Sequence, residues 1–474
     1  MEFNCNFVMT IGGSPVTTDG HVAVINPATE EVFADAPDCS LAQLDAAVGA
    51  AADAFPGWRA TSVERRREML LAMSQQIVQH IDPLTRLLTR EQGKTHSDAE
   101  RELRRSAFWL AETARLDFPT TIVEDTPERR METYRVPIGV VGAILPWNVP
   151  ILLAMLKVAP ALLAGNTLIV KPAPTTPLTT LKLGEMFNEL LPPGVLNVIS
   201  GANALGGWMT EHPGIGKISF TGSTQVGKLV MRGASYRLKR ITLELGGNDA
   251  AIVLPDVDVT AIAESLFWAA FRNSGQVCIA AKRMYVHADI YEPFKAALVA
   301  YAKTIRMGDG AERGVQLGPV QNAAQYGRLR VLIADARNNG YRFLTGGELP
   351  DRPGYFVPLT ILDNPPEESR IVQEEQFGPI LPLLKYDDID DVVARTNASE
   401  FGLAASIWTS DPEYGAEIAR RLDTGTVWIN EFAYLSPHAA FGGHKQSGFG
   451  TEGGLEGLRE FTYPQTISVR HTGM

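Results

Sequence analysis

The chain has 474 residues, with 43 Lys and Arg against 54 Asp and Glu, a net charge of −11. At about 150 residues per domain, the length predicts roughly three folding units with large buried cores and excludes a small disulfide-stapled module. The acidic balance is the reverse of the basic footprint that a phosphate backbone selects, so no nucleic-acid partner is expected, and 45 % hydrophobic with 20 % charged residues excludes wholesale disorder.

Three cysteines, Cys5, Cys39 and Cys278, are few and odd in number, a usage that fits a reducing compartment and leaves any one free for chemistry. Met1 to Thr10 carry neither the cationic head nor the apolar run of a secretory signal, so a cytoplasmic location is expected.

Along the chain, a short β region from His21 to Ala34, turning at Asn26-Pro27, precedes amphipathic helices. Ser40 with Gln43, and Thr61 with Glu64, match the capping box and predict helix starts near residues 41 and 62. Val136 to Leu156 is 21 residues without a charge, long enough to span a bilayer. Pro137, Pro146 and Pro150 within it would cost a single helix its backbone hydrogen bonds, so the stretch reads as buried strand, turn and helix, and no membrane partner is expected.

Short apolar runs then alternate with helical stretches: Gly139-Ile144, Thr167-Val170, Leu196-Ile199, Lys217-Phe220, Ile241-Leu243 and Ala250-Leu254. A second series follows Cys278, at Arg283-Val286, Leu381-Leu384, Ala404-Trp408 and Thr426-Ile429. Strand–helix alternation predicts mostly parallel sheets covered by helices, here two α/β units joined near residues 245–250. The β-prone run Thr466-Ile467-Ser468-Val469 after Pro464 predicts an added sheet edge, on this chain or a partner's.

Several residues stand out chemically. Cys278 follows Asn273-Ser274-Gly275-Gln276-Val277 and precedes Ile279-Ala280-Ala281; a cysteine among aliphatics packs more often than it reacts, so context must decide. Glu244, ending an apolar strand before Gly246-Gly247, is costly to bury unless paired or pKa-shifted, which suits a general base and equally a structural ion pair. Gly222 to Gly227 follow a predicted strand and open a helix, a geometry that cradles phosphate or merely turns the chain. Asn148, an amide in an apolar region, caps a turn or donates to an oxyanion.

In order, the chain carries Pro146-Trp147-Asn148, Lys171-Pro172-Ala173, Phe220-Thr221-Gly222-Ser223, Leu243-Glu244-Leu245-Gly246-Gly247, Gly275-Gln276-Val277-Cys278, Glu375-Gln376-Phe377-Gly378-Pro379 and Phe441-Gly442-Gly443. With these motifs, and a match running from Val24-Ile25-Asn26-Pro27-Ala28-Thr29 to Lys445-Gln446-Ser447-Gly448, it resembles the aldehyde dehydrogenase superfamily in its hydrolytic, non-acylating branch. The resemblance implies an α/β fold of three parts: a Rossmann-type cofactor domain (1–119 and 138–246), a second α/β catalytic domain (247–445) and a small β oligomerisation arm (120–137 and 460–474). It implies NAD(P)-dependent oxidation of an aldehyde to the carboxylic acid, in a homodimer or homotetramer and without a metal.

Residue by residue, the resemblance makes Cys278 the nucleophile, Asn148 and the Cys278 backbone N–H the oxyanion donors, and Glu244 the base for thioester hydrolysis, with Lys157 behind it in the proton path. Trp147, Gly222, Ser223, Leu245 and Gly246 line the implied cofactor cleft. Lys171 binds the adenosine ribose, Glu375 the nicotinamide ribose, and Phe377 packs nearby. Val149, Leu152, Leu153, Trp268 and Leu435 make an apolar tunnel suited to aliphatic or aromatic aldehydes.

Three departures matter. Pro174 stands where NAD-preferring members often carry a glutamate, so NAD is expected and NADP is open. Many relatives place a proton-relaying glutamate beside the Lys157 equivalent, where the matching segment here offers Tyr463. Arg272 is similar to an arginine that binds a distal carboxylate in some semialdehyde dehydrogenases, or is a structural guanidinium. A CoA-acylating activity is the other alternative, disfavoured because water needs the base Glu244 and a CoA thiolate does not.

Overall fold

The structure, a computed structural model, describes residues 6–471; Cys5 and the outermost ends of the first and last expected segments lie outside them. The chain opens with β1 (Met9–Ile11) and β2 (Ser14–Val16), then a hairpin of β3 (His21–Asn26) and β4 (Glu31–Pro37). Four helices follow: α1 (Leu41–Ala60), α2 (Val63–Gln79), α3 (Ile81–Gln92) and α4 (His96–Thr113). Ser40 and Gln43 form the expected reciprocal cap. The second cap falls one residue later than expected. Thr61 closes α1, donating to the Gly57 carbonyl, and Ser62 caps α2 by accepting from the Arg65 N–H. Of two adjacent hydroxyls, the one beyond the end of α1 is free to cap.

After β5 (Thr121–Asp125) and β6 (Arg129–Pro137), the chain builds a sheet from β7 (Val140–Ile144), β8 (Thr167–Lys171), β9 (Leu196–Val198), β10 (Lys217–Thr221) and β11 (Arg240–Glu244). The crossovers carry α5 (Pro150–Leu163), α6 (Leu178–Asn188), α7 (Asn203–Glu211) and α8 (Thr224–Ser235). Thus the uncharged stretch is strand, turn and helix, with Pro150 at the first helical position, where its missing N–H costs nothing. Among the described residues no helix is long and apolar enough to cross a membrane.

The five strands are parallel in the order β9-β8-β7-β10-β11. Chain order therefore reverses between β7 and β10, and beyond the carboxyl ends of strands at such a switch point a crevice opens.

The second sheet follows from β12 (Asp249–Val253), α9 (Val259–Phe271), β13 (Ala281–His287), β14 (Phe343–Thr345), β15 (Thr360–Asp363), β16 (Ile380–Tyr386), β17 (Phe401–Gly402), β18 (Ala404–Trp408) and β19 (Thr426–Ile429). Its order is β14-β15-β16-β13-β12-β18-β19, with only β14 antiparallel; β17 pairs outside it. Ala250, Ile252, Tyr285 and Ile407 pack on one face while Ala251, Val253, Met284 and Val286 pack on the other. Burial on both faces is why these strands read as unbroken apolar runs. The sequence reading missed β14 and β15, which are short and carry Thr and Asp in place of such a run.

The chain then returns: β20 (His444–Lys445) pairs with β17, β21 (Gly448–Phe449) adds antiparallel to β11, and β22 (Thr462–Arg470) pairs along its length with β6 of the same chain. The edge expected at Thr466–Val469 is thus built within one chain, and β5, β6 and β22 stand apart as a three-stranded arm.

Candidate active site

Cys278 owes its place to a strained turn. After α9 ends, Asn273, Ser274 and Gly275 adopt φ of 52°, 54° and 70° in succession. Two non-glycine residues in the left-handed region need outside support. Ser274 donates to Gly318 O at 2.7 Å, Asn273 Nδ2 to Asn148 O at 3.0 Å, and Gln276 Nε2 to Asn273 O at 2.9 Å. Gly275 is obligatory, because a Cβ there would lie 2.1 Å from the Gly378 carbonyl oxygen. The loop delivers a half-buried Cys278 into a cleft with Trp147, Asn148, Gly222, Ser223, Gly246, Glu375 and Phe377.

Asn148 is held through its side-chain amide nitrogen and through its backbone carbonyl. Its Nδ2 donates to Gln276 O at 3.0 Å, two residues before the cysteine, and the second N–H of that amide stays available for an oxyanion. Its carbonyl accepts from Lys94 Nζ at 2.9 Å and from Asn273. Lys94 in turn is ion-paired with buried Glu102, whose other oxygen accepts from the Ile151 N–H at 2.7 Å at the start of α5. The sequence reading singled out neither Lys94 nor Glu102.

Glu244 ends β11 and is buried, with Oε1 lacking a hydrogen-bond partner within the protein. Burial raises its carboxyl well above the usual range, the Glu452 charge adds to this, and Lys157 opposes it. Burial likewise pushes the Cys278 thiol up, helped by the charges of Glu244, Asp249 and Glu375. Lys157 is fully buried and donates to Glu452 Oε1 at 2.5 Å and to Thr221 at 2.7 Å. The glutamate beside Lys157 is therefore present, as Glu452. Tyr463 lies instead in β22, opposite Val136 of the arm. Glu452 escaped the sequence reading because it precedes the segment taken as matching and carries no local pattern.

Residues that would hold a dinucleotide gather at the carboxyl ends of β7, β8 and β10. Ser223 caps α8 by accepting from the Val226 N–H at 3.4 Å, and the helix start presents amides and a positive dipole end to an anion. Gly222 and Gly246 leave no room for side chains: a Cβ would meet the Phe220 ring at 2.4 Å and Glu375 Oε2 at 2.6 Å. Lys171 provides the test of fit. Its buried Nζ has one hydrogen bond, 3.3 Å to the adjacent Pro172 carbonyl, so ammonium protons remain for hydroxyls of a ligand, and burial lowers it to about 8. Glu375, pushed up to about 7 by burial, accepts from the Gly247 N–H at 2.9 Å. Phe377, at φ 51°, sets its ring edge-on to Trp147 with centroids 5.4 Å apart, and Leu245 lines the same cleft. Arg328, missed in the sequence, lines it too and donates to Glu375 O at 2.6 Å.

The sequence profile of the aldehyde dehydrogenase family matches residues 16–467. The chain belongs to the aldehyde dehydrogenase family. It is 41 % identical to a probable aldehyde dehydrogenase of a Pseudomonas species, over 99 % of this chain and 96 % of that one. It is 38 % identical to a phenylacetaldehyde dehydrogenase of Pseudomonas fluorescens, over 98 % of this chain and 96 % of the relative. Among solved structures it is similar to a betaine aldehyde dehydrogenase of Staphylococcus aureus in complex with NAD+. That match has a TM-score of 0.95 and 31 % identity and covers 98 % of this chain and 95 % of the other.

On the other side of the cysteine, this family member carries an apolar wall. Leu152 and Leu156 cluster with Trp109, and Val149, Leu153 and Leu435 pack against them. Leu435 also packs with the cluster that holds Val277 and Cys278, so the wall reaches the sulfur. Trp268 lies away from it: its ring packs on Phe267 and its Nε1 donates to the Tyr301 hydroxyl at 3.0 Å. Trp268 and Arg272 line a separate cleft with Asp98 and Arg101, and the Arg272 guanidinium sits 5.2 Å from the Phe432 ring centroid. Pro174 is half-buried near Lys171, and the acidic charge acting on that lysine is Asp38, already bonded to the Ala202 N–H.

Proposed function

We propose that the chain oxidises hydrophobic aliphatic or aromatic aldehydes to carboxylic acids, with NAD or NADP as acceptor. One observation carries this reading: Cys278 stands where the cleft of Gly222, Ser223 and Glu375 meets the apolar wall of Val149, Leu152, Leu153 and Leu435. The Cys278 sulfur attacks the aldehyde carbon, and its proton passes to Glu244, whose raised carboxyl suits it to accept one. Asn148 Nδ2 and the Cys278 backbone N–H hold the oxyanion. When bound, the nicotinamide supplies the hydride acceptor that turns the captured aldehyde into an acyl group on Cys278. Glu244 gives up the thiol proton to solvent and, ionised again, takes a proton from water as the water oxygen bonds to the acyl carbon; the C–S bond breaks, the Cys278 thiolate is restored and the acid leaves. Water as acyl acceptor, rather than CoA, is supported by this buried base.

The absence of a carboxylate at Pro174 supports acceptance of either dinucleotide. The second reading is a semialdehyde whose distal carboxylate Arg272 binds; among the described residues no carboxylate is within ion-pair distance of its guanidinium, which lies over the Phe432 ring. The remaining parts of the proposal are a dinucleotide unit at 1–119 and 138–246, a catalytic unit at 247–445, and a cytoplasmic homodimer or homotetramer joined through the arm. The sparse cysteines support the compartment, and exposed apolar residues of the arm such as Ile122 and Ile467 support the assembly.

The test is stopped-flow reduction of each dinucleotide with octanal, benzaldehyde and succinic semialdehyde. Wild type turns over neutral aldehydes without CoA, Cys278→Ser gives no reduction, and Glu244→Gln gives one burst and then stalls. Sustained turnover by Glu244→Gln at the wild-type rate removes Glu244 as base, and preference for the semialdehyde moves the reading to Arg272.

A further inference from the structure

A second cleft, of about 420 Å³, shares no residue with the one around Cys278 and falls within the ~300–1,000 Å³ typical of small-molecule sites. Three segments meet in it: α3, the β3–β4 hairpin and the turn at Asp309 and Ala311. The hairpin bridges the cores of the two large sheets. Phe33 and Ala34 pack on the core of the first, Ile25 packs on the core of the second, and Pro27 O accepts from the Tyr355 N–H at 2.9 Å. Joints between folded units are preferred places for small-molecule sites.

The wall on the α3 side is set by helical spacing. Pro83, Arg86, Leu87 and Arg90 stand three and four positions apart, so they share one face of the helix, and all four line the cleft. Arg86 and Arg90 are exposed, and two like charges at this spacing repel each other. Among the described residues neither has an ion-pair partner; the Arg90 guanidinium lies instead 4.3 Å from the Phe33 ring centroid. His96 lines the same cleft, and its one acid, Asp309, is engaged at Oδ1 by the Ala311 N–H at 2.9 Å. Phe7, Phe33 and Leu87 supply apolar surface beside these cations. In a chain with a net charge of −11, two unpaired guanidiniums beside aromatic rings make a local field that an anion would neutralise.

We propose that this cleft binds an organic carboxylate, a single negative charge on an aliphatic or aromatic body. The carboxylate sits between Arg86 and Arg90, whose planar forks match its two oxygens, and the body lies against Phe7, Phe33 and Leu87. A monoanion fits better than a phosphate ester, because Asp309 in the same lining repels a second negative charge. The bound charge also relieves the repulsion between the two arginines. Nothing in the cleft depends on Cys278, so binding here stands apart from the proposed oxidation.

The test is photolabelling of the full chain with a diazirine analogue of octanoate, mapped by peptide mass spectrometry so that this cleft and the wall at residues 149–156 are read separately. Label is expected within residues 83–96 or 26–34, suppressed by excess octanoate and spared by octanol and octylamine. Arg86→Gln combined with Arg90→Gln, both at the surface, should leave the unfolding temperature unchanged and weaken labelling of the cleft about tenfold, the loss of roughly one charge-assisted hydrogen bond. Label confined to residues 149–156 overturns the proposal, as does suppression by octanol equal to that by octanoate, or undiminished labelling of the doubly substituted chain. Octyl phosphate competing better than octanoate overturns the choice of a monoanion. Labelling of the cleft in a chain that fails to oxidise octanal supports this site while removing the proposed oxidation.

Discussion

At the scale of single residues, the site is a set of charges and amides whose ordinary chemistry the fold has shifted. Glu375 shows how this is read in solution. Its folded carboxyl is pushed up to about 7 by burial; in the proposed role on the nicotinamide ribose, the ionised form is the better acceptor for the two hydroxyls. Cofactor affinity should therefore rise with pH through 7, roughly tenfold between pH 6 and pH 8 for a single such group. Titration of NADH fluorescence checks this, and Glu375→Gln should flatten the curve at a weaker affinity. Glu375 was readable in the sequence because its motif is contiguous, whereas its raised carboxyl was not. The shift comes from burial between Gly246, Gly247 and Phe377, residues brought together from two sheets. The same holds at Cys278, where two successive non-glycine residues, Asn273 and Ser274, take left-handed turns that neither residue type announces.

Elements act by aiming these residues. The N-terminus of α5 is fixed by Glu102 of α4, which accepts from the Ile151 N–H, and Lys94, just after α3, ties that pair to the Asn148 carbonyl. Lys94 touches no reacting atom and is a positioning residue. Lys94→Met should lower kcat about tenfold with KM changed less than twofold, since the oxyanion forms after binding. Lys94→Arg, which keeps a donor, should recover part of the loss. A rise in KM alone would assign Lys94 to binding. The helices themselves were legible where caps and prolines are local, as at Ser40 and Pro150. Thr61 and Ser62 could not be ordered, because the cap depends on where the preceding helix ends. The strands from β7 to β13 were legible because both faces of each sheet are covered and only apolar runs survive there.

In the whole molecule, the first sheet supplies the cleft at its switch point, the loop before the second sheet's β13 supplies the sulfur, and the returning C-terminal segment supplies Glu452. The arm is a three-stranded sheet separate from the two large ones, with Ile122, Val123, Ile467 and Val469 exposed on it. Exposed apolar side chains on a short free sheet are a surface for association. Replacing Ile467 and Val469 by Lys should reduce the assembly by at least one step in size-exclusion chromatography with light scattering. An unchanged mass would place the subunit contact elsewhere.

The amino-acid sequence alone determined the class of fold and the pair of α/β units, through local periodicity, and its contiguous motifs carried the resemblance that names Cys278, Glu244 and Asn148 as the proposed reactive set. Only the tertiary structure decided that Lys157 meets Glu452, 295 positions away, that Lys94 holds Asn148, and that Trp268 turns from the cysteine into its own core. Contacts between distant segments follow from how helices and sheets pack, and no short stretch of chain encodes the partner it will meet.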